Sequence, residues 1–489
     1  MDGEVREALD ELWAFSPEAR SLVVMEVADR IEELRIQKRP IFKPRQIPER
    51  IRPKVKEAIA GALAGVQGSD LGRKERLAEV LGALADAGPI LVYPGYWLRL
   101  VQLTSADRYT PGQEFFWEIS WQVGDIGAAQ FAWDSTSILR GLPEEQQAMF
   151  YGELDKHEDR GWVSRKLIGG RNGRFLRITC FPHVNVGKNT KVRPVNDCTR
   201  GNRVSPPASN SQLSTSAAVG KLRGLLKPGM MVRQRDLDQA FLRMRVAVRD
   251  SEGNPVDLEL KAPGRVYGSD RMVFGLSVGP LALTSAIAAT REVVESLVSD
   301  DARAVGVVPV MDDFTFVGWR EAVEEYDATI LEAWALTGFE ATKTWDWNAA
   351  ESTKWLGHGW KWDSVAGQLT LVRSQVEGDM YDVTKRGTYE LAGAVHAVTE
   401  SLTETTALGH ANTARKLVGA YAAWDSPVDI EVGRATLHHL REMLRLWKEA
   451  AEEIVPLTST ISRLVVESDA SLSGLAFVML DPEERIVDW

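Results

Sequence analysis

Cysteine is almost absent from the 489 residues; Cys180 and Cys198 are the only two. The seven histidines are scattered from His157 to His439, and no cluster has the spacing of a zinc site. A catalytic metal, if the chemistry calls for one, must therefore rest on carboxylates. The chain also lacks a secretory start, since MDGEVREALDE is acidic and has no basic region followed by an apolar one. No uninterrupted apolar run approaches the length of a membrane span. These absences predict an intracellular chain, cytoplasmic or nuclear, with no membrane partner. What is present, 44% hydrophobic residues over this length, is enough for two to four domains with their own cores.

The formal net charge of −11, taken alone, argues against a polyanionic partner. The average hides an asymmetry. Between positions 161 and 250 there are eighteen Lys and Arg against four acids, Asp197, Asp236, Asp238 and Asp250. One module is basic and its flanks are acidic. A solvated face is the plain explanation of such a stretch, and only motifs can favour a nucleic-acid contact over it.

Amphipathic helical patterning runs over Val5–Leu34, a Pro-punctuated stretch follows over Pro40–Pro53, and a second helical run covers Val55–Ala87. Phe115–Val123 reads as a strand and Leu142–Trp162 as a charged helix. Asp134-Ser135-Thr136 lacks the glycine that a retroviral-type aspartic protease motif needs, so residues 1–145 are expected to be an accessory, mostly helical region without a named role. Phe175–Val195 alternates like a hairpin around Gly187-Lys188-Asn189. Gly201–Ser216 is a loop by composition, Ala217–Leu226 a short helix, and Met230–Arg235 a strand. Val305–Val310 and Phe314–Val317 are apolar β-prone runs joined by Met311-Asp312-Asp313, a hairpin with carboxylates at its tip. Glu321–Leu336 is a helix, Thr384–Ala451 is mostly helical, and strands return over Arg463–Ser468 and Leu475–Leu480.

Nucleotidyl transfer needs two divalent ions close together, one activating the attacking hydroxyl and one holding the leaving pyrophosphate. Hard cations take oxygen ligands, and two or three aspartates suffice because water and substrate phosphates fill the other positions. Asp236, following a strand in Arg235-Asp236-Leu237-Asp238-Gln239-Ala240-Phe241, and Asp312-Asp313 at the hairpin tip offer that donor set.

Six segments in order then resemble the reverse transcriptases of retroelements, of the retrotransposon kind. They are Lys191–Asn202 (KVRPVNDCTRGN), Arg235–Val246 (RDLDQAFLRMRV), Met272–Pro280 (MVFGLSVGP), Val310–Asp313 (VMDD), Gly338–Lys343 (GFEATK) and Trp355-Leu356-Gly357-His358. The resemblance covers about 145–365. It implies an α+β fold with a right-hand fingers, palm and thumb polymerase: 146–365 as fingers, palm and primer grip, 366–460 as a helical thumb or connection. Asp236, Asp312 and Asp313 would bind Mg²⁺ or Mn²⁺, and Lys343 would protonate the leaving group. Arg193, with Lys188 or Lys191, would hold the incoming triphosphate. Phe241 would exclude a 2′-hydroxyl, Phe274 and Gly275 would lie against the templating pair, and Trp355, Leu356 and Gly357 would form the primer grip. Arg463–Gly474 (RLVVESDASLSG) resembles the first strand of a ribonuclease H domain, with Asp469 its first metal ligand. That makes 461–489 a truncated ribonuclease H-like α/β start, from which no nuclease activity is expected.

The implied function is RNA-directed DNA synthesis, with an RNA or DNA template-primer and deoxynucleoside triphosphates as partners. Two alternatives remain open from sequence: an RNA-dependent RNA polymerase, against which Phe241 counts, and a catalytically inactive, retroelement-derived nucleic-acid-binding protein. Oligomeric state is not legible.

Overall fold

The computed structural model describes residues 47–104, 112–165, 174–184, 192–208, 215–372 and 384–399, with shorter pieces at 415, 423, 425–428, 438, 440–441, 452–455, 457, 465–470, 475–480 and 486–488. The patterning over Val5–Leu34, the turn Gly187–Asn189, and Lys188 and Lys191 lie outside the described residues. Two compact units divide the chain. One is Arg45–Thr353 with Trp362–Gly367; the other is Met1–Pro44, Lys354–Lys361 and Gln368–Trp489.

The first unit opens with helices α1 (Ile47–Val66) and α2 (Arg73–Asp86). Pro53 lies inside α1, so the Pro-punctuated stretch does not end before a helix as its composition suggests. An interior proline removes a backbone bond, but Ile51, Val55 and Ile59 are fully buried on one face, and that packing holds the turn. The helical run expected over Val55–Ala87 is therefore two helices. Strands β1 (Ile90–Tyr93) and β2 (Tyr96–Gln102) follow as a hairpin across Pro94-Gly95, then β3 (Phe115–Gln122). Strand β3 answers the strand expected over Phe115–Val123, whereas β1 and β2 are strands that the reading of a mostly helical region did not include, and the Pro-Gly pair between apolar runs was their signal.

Short α3 (Thr136–Arg140) and α4 (Glu144–Asp159) lead to β4 (Phe175–Val184), β5 (Val192–Asp197), α5 (Thr199–Val204) and α6 (Thr215–Leu225). Helix α5 occupies the start of what composition marks as a loop. Next come β6 (Met231–Leu237), a 3₁₀ turn over Ala240–Arg243, β7 (Arg245–Arg249), β8 (Pro255–Ala262) and β9 (Arg265–Ser269). Then follow α7 (Gly279–Leu297), α8 (Asp300–Arg303), β10 (Gly306–Val310), β11 (Asp313–Gly318), α9 (Arg320–Thr337) and β12 (Ala341–Asp346).

An eight-stranded mixed sheet has the order β1-β2-β3-β7-β8-β4-β5, with β9 also on β8. Its parallel pairs, β3 with β7 and β4 with β8, join strands far apart in sequence. A second, antiparallel sheet has the order β10-β11-β6-β12. Helix α9 covers it with Val323, Tyr326, Ile330, Ala333 and Trp334, all at most 1% exposed and at helical spacing. Its Trp334 meets Phe314 at 4.8 Å and its Tyr326 meets Phe316 at 5.7 Å between ring centroids.

Strands β13 (Thr353–Trp355), β14 (His358–Asp363), β15 (Gln368–Val372) and β16 (Glu452–Val455), most of whose residues belong to the other unit, form a sheet in that order. Helix α10 spans Lys385–Thr399; most of the rest of the stretch expected to be helical lies outside the described residues. Strands β17 (Val465–Ala470), β18 (Leu475–Leu480) and β19 (Ile486–Asp488) form a three-stranded antiparallel sheet. Among the described residues no helix is long and apolar enough to cross a membrane.

Period-two alternation along β6 sorts its charges by face. Arg233 and Arg235 point to α9, where Asp327, 3% exposed, accepts from Arg233 Nη1 at 3.1 Å and from Arg235 Nε and Nη2 at 2.9 and 2.6 Å. Removing one partner of such a buried group leaves uncompensated charge. Asp327→Ala should lower the unfolding free energy by about 3–5 kcal/mol in urea titrations. A change under about 1 kcal/mol would mean that the arginines are already solvated.

Candidate active site

The other face of β6 carries Gln234 and Asp236. Pairing of β11 with β6 sets Asp313 directly opposite Asp236, and Thr315 opposite Gln234. The β10–β11 hairpin closes through Val310 paired with Asp313, so its loop is Met311-Asp312, with Met311 left-handed at φ 56°. A backbone bond from the Leu237 amide to the Asp312 carbonyl, 2.9 Å, holds this tip against the end of β6. On the opposite edge of β6, Lys343 of β12 is in register with Asp236, and its ammonium donates to Asp236 Oδ2 at 2.9 Å.

The electrostatics follow from this crowding. Burial pushes the Asp312 carboxyl above the usual carboxylate range and the Asp236 charge adds to it, against a backbone hydrogen bond and Lys343. Burial raises Asp313 to about 7, helped by the charges of Asp312 and Asp236 and opposed by a hydrogen bond from Gln234 and by Lys343. The bond to Asp236 raises Lys343 above its ordinary value, against burial and with the charges of Asp236, Asp238 and Asp313. Among the described residues, no three acidic, imidazole or thiol groups converge as a ready-made metal cage. Two carboxylates at a strand end still suit a hard cation whose other ligands are water and phosphate, and the Lys343 ammonium already marks the place where Asp236 attracts positive charge.

Five residues beyond Asp236, Phe241 lies edge-on to Phe274, with 5.0 Å between ring centroids and an interplanar angle of 73°. The two rings, with Val273, Gly275, Ser277 and Gly279, line a cleft of about 200 Å³. Gly275 has φ 105°, and a Cβ there would lie 2.6 Å from the Asn196 carbonyl oxygen, so both conformation and space call for glycine. Asn202 of α5 fixes this loop: its Nδ2 donates to the Gly275 carbonyl and its Oδ1 accepts from the Ser277 amide, each at 2.9 Å. Asn202 closes the motif that begins at Lys191 but was not singled out in the sequence. Gln234 and Arg243 were missed as well; Arg243 lies within the segment Arg235–Val246 and Gln234 just before it, and neither was singled out.

Arg193 lies exposed on β5, in register with His183. Trp355 is 1% exposed and packs edge-on against Trp360 at 6.0 Å, in the other unit; Leu356 and Gly357, with φ 50° and 88°, form the turn after it. Asp469 sits on β17 in register with Ala476, and its side chain is outside what is described. Many cations of the basic window are internally paired. Arg165, Arg174, Arg177 and Arg245 pair with Asp155, Asp250, Glu259 and Asp270, as Arg233 and Arg235 do with Asp327 and Arg243 with Asp238 and Glu340.

No protein-family model matches the chain, and no curated protein matches it. Among solved structures, the foamy viral protease-reverse transcriptase in complex with double-stranded DNA is similar with a TM-score of 0.43 and 12% identity, over 89% of this chain and 79% of that one. The dRH form of the foamy viral protease-reverse transcriptase, with double-stranded DNA, gives a TM-score of 0.42 and 14% identity over 68% of this chain. The chain spans 53% of that second protein's length. Likeness at this level carries no weight about fold or activity, so the site must be judged on its own geometry.

Because folding raises the Asp313 pKa, the folded state binds more protons than the unfolded state between about pH 4 and about pH 7. Stability without divalent ions should therefore be greatest on the acid side and fall as pH rises through that window. Melting temperatures at a series of pH values test this. Asp313→Asn should flatten most of the slope, and an unchanged slope would assign it to other groups.

Proposed function

We propose that the chain is an RNA-directed DNA polymerase of a retroelement, performing template-directed nucleotidyl transfer. The observation that carries this reading is the cross-strand pair Asp236–Asp313, with Asp312 in the adjoining turn and Asp236 five residues before the Phe241 that walls a cleft with Phe274. The order of the six family-like segments supports the same reading.

Mg²⁺ or Mn²⁺, held by Asp236 and Asp312 with help from Asp313, would supply activation of the primer 3′-hydroxyl and neutralisation of the leaving pyrophosphate. The chain's own residues do the rest. Arg193, with Lys188 or Lys191, draws in the triphosphate by charge-assisted hydrogen bonds. Lys343 exchanges its bond to Asp236 for a place beside the leaving pyrophosphate, to which it gives a proton. The Phe241 ring fills the space a 2′-hydroxyl needs, so the product is DNA; this steric exclusion disfavours an RNA polymerase. Gly275 lets the backbone approach the templating pair closely. Trp355, Leu356 and Gly357 serve as primer grip, and Asp469 belongs to a ribonuclease H-like start outside the polymerase reaction.

Primer extension on RNA and DNA templates, with deoxy- and ribonucleotides in parallel, tests the proposal. The unaltered chain should extend with deoxynucleotides on both templates. Asp236→Asn or Asp312→Asn should abolish extension while template-primer affinity stays within about twofold, since each removes a metal-binding charge and not a backbone contact. Phe241→Ala should keep most deoxynucleotide use and gain ribonucleotide use. Extension that persists in either Asn variant removes those carboxylates from the reaction. No extension by the unaltered chain would favour a binding protein.

A further inference from the structure

Helix α7 opens on Gly279, followed by Pro280. Backbone conformation does not call for glycine there. Gly279 is helical and not at positive φ, a setting in which alanine ordinarily stabilises a protein by restricting the unfolded chain. What the missing side chain provides is room. A Cβ on Gly279 would stand 3.1 Å from Phe241 Cε1 and 3.3 Å from its Cδ1, inside the ordinary carbon–carbon contact of about 3.5–4.0 Å. The bare glycine lets the Phe241 ring lie against the first turn of α7.

The turn under Phe241 is fixed more firmly than the ring. Buried Arg243, at the end of the 3₁₀ turn Ala240–Arg243, donates to the Asp238 carbonyl at 2.7 Å, to the Gly338 carbonyl at 3.2 Å and to the Glu340 carboxylate at 2.6 Å. The Leu242 amide bonds to the Gln239 carbonyl at 2.9 Å and the Met244 amide to the Phe241 carbonyl at 3.0 Å. The ring itself borders the cleft it shares with Phe274, whose side chain is 45% exposed. A group pressing from Gly279 therefore moves the ring and not the turn, and the ring yields into the cleft.

We infer that Gly279 is a specificity-determining position: by carrying no side chain it sets how far the Phe241 ring recedes, and so how much room the cleft leaves at the 2′ position of the nucleotide sugar. This rests on the reading of Phe241 as the ring that excludes a 2′-hydroxyl. A ring displaced toward the sugar by a few tenths of an ångström excludes smaller 2′ substituents too, because small misplacements at a reacting site are amplified in rate.

Gly279→Ala, Phe241→Ala and the double variant, each in the full chain, test it by two readouts. The first is primer extension with 2′-deoxyuridine triphosphate and with its 2′-fluoro analogue, whose substituent is smaller than a hydroxyl. Gly279→Ala should raise the KM for the deoxynucleotide about threefold with kcat within about twofold, and the ratio of kcat/KM for deoxy over 2′-fluoro should rise about fivefold. Added to Phe241→Ala, which has no ring to displace, the same change should leave both within about 1.5-fold. The second readout is the melting temperature, which Gly279→Ala should lower beside the intact ring and raise in the Phe241→Ala background. An unchanged ratio beside the intact ring overturns the proposal. Equal shifts in both backgrounds, in the ratio or in melting, also overturn it, because the effect then belongs to α7 and not to the ring. An unaltered chain that incorporates no nucleotide refutes the polymerase reading and the selectivity role together, a result distinct from either of those.

Discussion

Antiparallel pairing of β11 with β6 sets the Asp313 carboxylate across from that of Asp236, and the two-residue hairpin loop brings Asp312 to the same strand end. Like charges directly opposite each other destabilise a sheet, and burial deepens the cost. The fold nevertheless holds them there, because β6 is locked from both sides: by β11 and β12 through backbone bonds, and by Asp327 of α9 through Arg233 and Arg235. The proton that Asp313 keeps up to about pH 7 and the Lys343 ammonium on Asp236 are two answers to one uncompensated field. A divalent cation would be a third.

Backbone strain falls close in sequence to these aspartates at two of three positions. Among the described residues, Gln239, Met311 and Leu356 are the non-glycine residues at positive φ. Gln239 follows the first aspartate, Met311 precedes the second, and Leu356 lies in the Trp-Leu-Gly-His turn. Such conformations persist where surrounding structure over-determines them and cluster at functional sites. The turn after Asp236 shows how this is done, with Arg243 and Arg160 both bonded to Asp238.

The strand–turn–strand character of the site was legible in the sequence because apolar β-prone runs flank Met311-Asp312-Asp313, and the hairpin register follows from so short a loop. The pairing of that hairpin with β6 was not legible from periodicity, since more than sixty residues separate Asp236 from Asp312; only the resemblance linked them. The first turns of helix α1, before Val55, escaped reading because Pro53 looks like a breaker when the burial of Ile51, Val55 and Ile59 cannot be seen. The basic window overstated free charge, because partners such as Asp327 and Glu259 reach its arginines from outside the window. Asn202 acts through bonds to distant backbone groups, which leave no local pattern.

The central claim is that the carboxylates at the end of β6 and the hairpin tip hold the two ions of a nucleotidyl transfer. Anomalous scattering from crystals of the chain with template-primer, a non-hydrolysable deoxynucleotide and Mn²⁺ tests it most directly. The account requires two Mn²⁺ peaks about 4 Å apart, both bounded by Asp236 and Asp312, with the Lys343 ammonium displaced from Asp236. Lys343 still on Asp236, with no Mn²⁺ between the carboxylates, would contradict it.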